Sequence, residues 1–172
     1  MAEGAHYEIE RKYLIRRPGE ALLEAPPGCE VWQIEQIYLR DEPPWDTRRV
    51  RRVRTGGEER YYRTFKSRVT TLSAREDENR LDRAGYEALV KEAREGARPI
   101  LKTRYRIPWE GHVLEFDLYP FWEDRAILEI ELEREDEAVR LPDYVRLIRE
   151  VTGDARYKNF ALAHSVPMDA ID

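Results

Sequence analysis

The sequence predicts an α+β fold that is mainly β: an eight-stranded antiparallel barrel with peripheral helices. Three observations lead there. Charged and apolar residues alternate at two-residue spacing in many short runs, as strands with two different faces require. One pair of runs flanks Gly56-Gly57, a tight-hairpin signal. Apolar residues at helical spacing are confined to a few stretches. The chain has 172 residues, enough for one domain with a real core and short for two.

The elements follow in order. "HYEIERKYLI" (6–15) reads as the first strand and "RRPGEALLEAPPGCE" as a short helix around Glu20 to Glu24, closed by Pro26-Pro27-Gly28. "VWQIEQIYLRD" (31–41) is rich in β-branched and aromatic residues and reads as a strand that Pro43-Pro44 ends. "TRRVRRVRTGGEERYYRTFKS" (47–67) is the hairpin, and "TLSAREDENRL" (71–81) a fifth strand. Asp82 is placed to cap a helix carrying Tyr86, Leu89, Val90 and Ala93, with Gly96 placed to end it. Three strands follow in "PILKTRYRIPWE", "HVLEFDLYPF" and "RAILEIELERED". The tail "LPDYVRLIREVTGD" predicts a helix over 143–151, with Tyr144, Leu147, Ile148 and Val151 on one face, before "RYKNFALAHS". Eight strands with few helices in one domain suggest an antiparallel barrel.

Alternation groups the charges strand by strand. Glu8, Glu10 and Lys12 share a face, as do Arg52 and Arg54; Lys66 with Thr64 and Tyr62; Glu76 and Glu78; Lys102 and Arg104; Glu115 and Asp117; and Glu129, Glu131 and Glu133. A barrel with an apolar interior and charges turned outward predicts the same periodicity. Clustering by sign, acidic pairs on some strands and basic pairs on others, is unlike a mixed solvated surface and equally fits a charged interior. A register slip in "RRVRRVR" would bring Arg49 and Arg51 to the charged face; the Gly56-Gly57 turn favours Arg52 and Arg54.

Composition narrows the chemistry. Charged residues make up 38% and hydrophobic ones 41%, yet 30 basic against 35 acidic side chains leave a net charge of −5. That balance argues against a general nucleic-acid binder. Cys29 is the sole cysteine, so no internal disulfide forms and a reducing compartment fits. No apolar run reaches the roughly 20 residues of a membrane span, and the first residues lack a secretion-signal core. A cytoplasmic protein without membrane or nucleic-acid partners is the expectation. A Gly-rich phosphate loop and Ser or Cys nucleophile motifs are absent. His6, His112 and His164 lie far apart and read as surface or packing residues, and the four tryptophans as core or rim aromatics. Interleaved carboxylates and cations suit a polyphosphate with its divalent metals: carboxylates are hard ligands for Mg²⁺ or Mn²⁺, and arginine and lysine match phosphate oxygens.

The strand motifs resemble those of the CYTH, or triphosphate tunnel metalloenzyme, superfamily. "EIERK" matches its Glu-x-Glu-x-Lys signature, and "QIYL", "RVR", "TFKS", "EDE", "LKTRY", "EFDLY", "EIELE" and "RYKN" follow in the family's order. The resemblance spans about Tyr7 to Ala163 and is closest to the short bacterial inorganic triphosphatases. It implies a tunnel with a charged lumen. It also implies metal ligands at Glu8, Glu10, Glu129 and Glu131, with Asp117 associated with a second metal. Lys12, Arg52, Arg54, Lys66, Arg104 and Lys158 fit its phosphate-binding, catalytic positions, with Lys102 a weaker match. Glu76 and Glu78 match an acidic pair on the middle strand that also faces substrate; Glu115 and Glu133 read as rim residues. Ala74 departs from the arginine often found there, and Arg75 has the wrong parity to replace it. The implied activity is Mg²⁺- or Mn²⁺-dependent hydrolysis of tripolyphosphate to pyrophosphate and phosphate. The alternatives are a class IV adenylyl cyclase acting on ATP, hydrolysis of thiamine or nucleoside triphosphates, and a polyphosphate-binding module without catalysis. A homodimer is an analogy only.

Overall fold

A computed structural model describes residues 4–171. Nine strands form one antiparallel sheet: β1 Gly4–Arg16, β2 Glu30–Tyr38, β3 Thr47–Thr55, β4 Glu58–Arg68, β5 Ser73–Leu81, β6 Ile100–Trp109, β7 His112–Leu118, β8 Arg125–Leu132 and β9 Leu147–Glu150. Their order is β5-β4-β3-β2-β6-β7-β8-β1-β9, and an additional β1–β5 pairing closes strands β1 to β8 into a barrel. Strand β1 makes closure work through its length. Gly4 to Ile9 pair with β5, and Ile9 to Arg16 pair with β8. Beyond the last β5 pairing, β9 pairs with Tyr13 to Ile15.

Two hairpins owe their tightness to left-handed backbone. Gly56 and Gly57 take φ values of 57° and 78° between β3 and β4, as the expected two-residue turn demands. Glu110 and Gly111 do the same between β6 and β7, at 46° and 79°. Helix α1 (Glu20–Glu24) forms where expected. Helix α2 runs over Arg83–Val90, and its cap is Asp82, whose carboxylate accepts from the Gly85 N–H at 2.7 Å. It stops six residues before Gly96, which takes a positive φ in the following loop.

The tail differs from expectation. Residues 143–151 do not form a helix; Pro142 and Val145 close a turn, and Leu147–Glu150 is strand β9. The apolar spacing there is real, but short segments are ambiguous in period, and the free edge of β1 offers backbone partners that a solvated helix would lack. A 3-10 turn (Ala155–Tyr157) and helix α3 (Asn159–Leu162) follow.

Much of the apolar core lies outside the barrel wall. Tyr13, Ile15, Tyr105, Ile107, Leu114, Phe116, Leu128 and Ile130 form one layer on β1, β6, β7 and β8, covered by Leu23 of α1 and by Val139, Leu141, Tyr144 and Val145. Leu39, Val50 and Tyr61 pack beneath Tyr86 of α2. A third cluster caps one end: Leu14, Tyr38, Ile100 and Ile127 meet Val151, Tyr157, Leu162 and Ala163 of the C-terminal segment. Full burial of each large aliphatic or aromatic side chain contributes about 1.5–3 kcal/mol. These layers offset the cost of a polar interior. Among the described residues no helix is long and apolar enough to cross a membrane.

Candidate active site

With the apolar faces packed outward, the alternate faces of the same strands surround a cavity of about 380 Å³. Strand β1 sends Glu8, Glu10 and Lys12 into it, beside Glu129 and Glu131 of β8. Register explains the pairing: Glu10 stands opposite Glu131, and Lys12 opposite Glu129. Lys66 comes from β4, Glu76 and Glu78 from β5, Lys102, Arg104 and Arg106 from β6, and Glu115 from β7. The C-terminal segment supplies Lys158 and Asn159.

The arginines of β3 correct the expected register. Arg49 and Arg51 line the cavity, while Arg52 and Arg54 lie on the outer side, where both bind Glu59 of β4. Both valines of the run are fully buried, Val50 under α2 and Val53 with Trp32, Ile34 and Tyr62, so neither face of β3 is marked as apolar.

Asp117, expected to serve a second metal, sits behind the lumen cations of β6. It is completely buried and does not line the cavity. Its Oδ1 accepts from Arg104 Nε at 2.7 Å, and its Oδ2 from Lys102 Nζ at 2.8 Å and Arg104 Nη2 at 2.9 Å. It braces two cations from behind. Glu115, expected at the rim, lines the cavity and binds Arg104 and Arg106, whereas Glu133 is exposed outside it. His6 lines the cavity 3.6 Å from Glu76 instead of being a plain surface residue; His112 pairs with Glu137 away from it. Ala74 does face the lumen, paired in register with Arg68 of β4, which also lines it; Arg75 turns outward over Trp45. Arg68 and Arg106 share the parity of Lys66 and Arg104, so alternation carried the signal for both.

Ion pairs hold the lumen open. Lys66 bridges Glu8 at 2.8 Å and Glu76 at 3.2 Å, Arg51 binds Glu78 at 2.7 Å, and Lys12 lies 3.3 Å from Glu129. Arg49, like Lys158 and Arg68, has no carboxylate within salt-bridge reach among the described residues, and its buried Nε has no hydrogen-bond partner. Its charge is nonetheless favoured, since the field of Tyr38, Glu76, Glu8 and Glu78 outweighs burial.

The carboxylates fall into two groups. Burial would raise Glu8, but Lys66 brings it down to about 2; Glu129, also withdrawn from water, is held well below the usual range by Lys12 and Arg104. Glu10 goes the other way, pushed up to about 8 by burial and then by Glu129 and Glu8. Glu131 rises to about 7 through partial withdrawal from water and the charges of Glu8 and Glu115. Burial pulls Lys102 down to about 8 despite Asp117. Such opposed shifts, packed into one cavity, mark a candidate functional site.

Crowded carboxylates short of positive charge have the donor chemistry of a hard divalent cation site. Among the described residues, however, no three acidic, imidazole or thiol groups converge into a metal cage. Glu8, Glu10, Glu129 and Glu131 are the residues whose hard oxygen donors would suit such a cation.

No family model matches the chain. An inorganic triphosphatase of Nitrosomonas europaea is 36% identical over 163 residues, covering 93% of this chain and 99% of that protein. The chain belongs to the inorganic triphosphatases of the CYTH, or triphosphate tunnel, superfamily. A second inorganic triphosphatase, from Acetivibrio thermocellus, is 32% identical over 159 residues, with 88% of this chain and 90% of that protein covered. The crystal structure of the inorganic triphosphatase NE1496 matches this CYTH barrel with a TM-score of 0.55 at 31% identity, covering 93% of this chain and 96% of that one.

Proposed function

We propose that this CYTH protein hydrolyses inorganic tripolyphosphate to pyrophosphate and phosphate with the help of Mg²⁺ or Mn²⁺. The observation that carries the reading is that Arg49, with Lys158 and Arg68, lines the lumen without a carboxylate in salt-bridge reach among the described residues, beside six cations that have one. Their charges reach the lumen without a direct ionic partner, and a polyanion there would give them one. The names of the two relatives support the same substrate.

In this reading Lys12, Arg49, Arg51, Lys66, Arg104 and Lys158 bind the phosphate oxygens, with Lys102 behind them. Arg52 and Arg54 take no part. The cations neutralise the charge that spreads over the transferred phosphoryl group and the departing pyrophosphate, and the rigid wall holds both in line. Glu76 and Glu78 aim Lys66 and Arg51, and Asp117 aims Arg104. Glu8, Glu10, Glu129 and Glu131 would hold the divalent cation, whose chemistry when bound is charge neutralisation and activation of water. No covalent intermediate on the protein is needed.

The test is phosphate release from tripolyphosphate with Mg²⁺ and with Mn²⁺, beside ATP and thiamine triphosphate as competing substrates and cyclic AMP as a competing product. Tripolyphosphate is expected to be turned over with the highest kcat/KM. Silence with both metals, or cyclic AMP as the main product from ATP, overturns the proposal.

A further inference from the structure

Asn159 begins helix α3, is buried, and lines the cavity next to Lys158. Its Oδ1 accepts the hydroxyl proton of Tyr119 at 2.6 Å. Tyr119 itself is held rigidly: it is almost fully buried, its ring stacks on Phe121 at 4.9 Å between centroids, and Trp122 meets it edge-on at 5.5 Å. With the oxygen committed, the orientation of the amide is decided, and its two N–H donors face the other way. Among the described residues the amide nitrogen makes no hydrogen bond, and it is not sealed from the cavity.

We infer that Asn159 is a substrate-binding residue whose side-chain amide donates to a phosphoryl oxygen of the bound triphosphate, and that Tyr119 is its positioning residue. The inference rests on the tripolyphosphate reading above. A neutral donor has a use among so many cations. It adds a directed hydrogen bond without adding charge that Lys12, Lys66 and Lys158 would repel. Burial and then Arg68, Lys12 and Lys66 already lower the pKa of Lys158, and a neutral donor meets no such repulsion. The cap that closes the barrel end thus contributes two adjacent binding groups, one charged and one neutral, from a single turn.

Binding of tripolyphosphate measured calorimetrically, without metal and without turnover, separates this inference from the functional reading. Asn159→Ala is expected to weaken binding about tenfold, the worth of a hydrogen bond to a charged group. Asn159→Asp, which turns a donor into an anion beside phosphate, is expected to weaken it further. Tyr119→Phe is expected to weaken binding severalfold in the wild-type chain and to add nothing in the Asn159→Ala chain, since it acts only through that amide. Thermal melting shows whether each variant is folded. Folded Asn159→Ala protein that binds within twofold of wild type overturns the inference, as does a Tyr119→Phe effect that persists undiminished in the Asn159→Ala background. Wild-type protein that binds but does not hydrolyse tripolyphosphate overturns only the functional reading; a wild type that does not bind it overturns both.

Discussion

Strands β1 and β3 each carry five charged residues, yet they differ in how they declare their faces. On β1 the charged residues Glu8, Glu10 and Lys12 alternate with Ile9, Arg11 and Tyr13, and Ile9 and Tyr13 pack into the outer apolar layer while Arg11 pairs with Glu150. The apolar pair marks that face as the packing one. On β3, arginines occupy both faces, and its two valines are buried on opposite sides. The strand is legible only through its neighbours: Arg51 points toward Glu78, while Arg52 and Arg54 find Glu59. A charged run thus reveals its orientation only when something apolar marks the other side.

The sharpest test of β1 is Glu10→Gln. It is expected to reduce metal-dependent turnover by more than the roughly 100-fold that outer-shell changes around a metal typically cost, with folding intact by circular dichroism. Full activity would remove β1 from the site. On β3, Arg49→Ala is expected to lower kcat/KM by on the order of 100-fold, the range for losing one preorganised charge-stabilising donor. The comparison breaks if Arg52→Ala has that effect and Arg49→Ala does not.

A pH series probes the unpaired carboxylates of β1 and β8 directly. Glu10 and Glu131 have folded-state pKa values of about 8 and about 7, above the ordinary 4.5. Between those limits the folded protein holds more protons than the unfolded chain, so stability falls as pH rises. The melting temperature in chelator is expected to drop between about pH 5 and pH 8, and Mg²⁺ or Mn²⁺ to restore it. A flat profile would mean that the crowding of Glu10 by Glu129 and Glu8 is absent in solution. The smallest effect is expected outside: Arg52→Ala and Arg54→Ala each change stability by about 1 kcal/mol or less, as exposed ion pairs do, and leave kcat/KM within about twofold.

Most of the barrel was readable because alternation and turn chemistry are local. The Gly56-Gly57 hairpin, the Asp82 cap and the eight barrel strands all rest on residues a few positions apart. Strand β9 was not readable as such, since its four residues become a strand only by meeting the edge of β1. The lumen residues of β1, β5 and β8 followed from parity together with the family motifs. Asp117 has the right parity too, but nothing local says that Arg104 and Lys102 occupy both of its oxygens. Nothing local in "RYKN" marks Asn159, because its orientation depends on Tyr119, forty positions earlier in the chain.

By itself, then, the order of residues determined a charged, strand-rich barrel of the CYTH kind, because backbone pleating obliges every second side chain to share a surface. Only the closed structure decided which arginines enter the lumen, which carboxylates stay uncompensated and which polar groups are already spent on one another. Those outcomes depend on distances between strands far apart in the chain, and Coulomb energies in a poorly solvated cavity change steeply over a few ångströms.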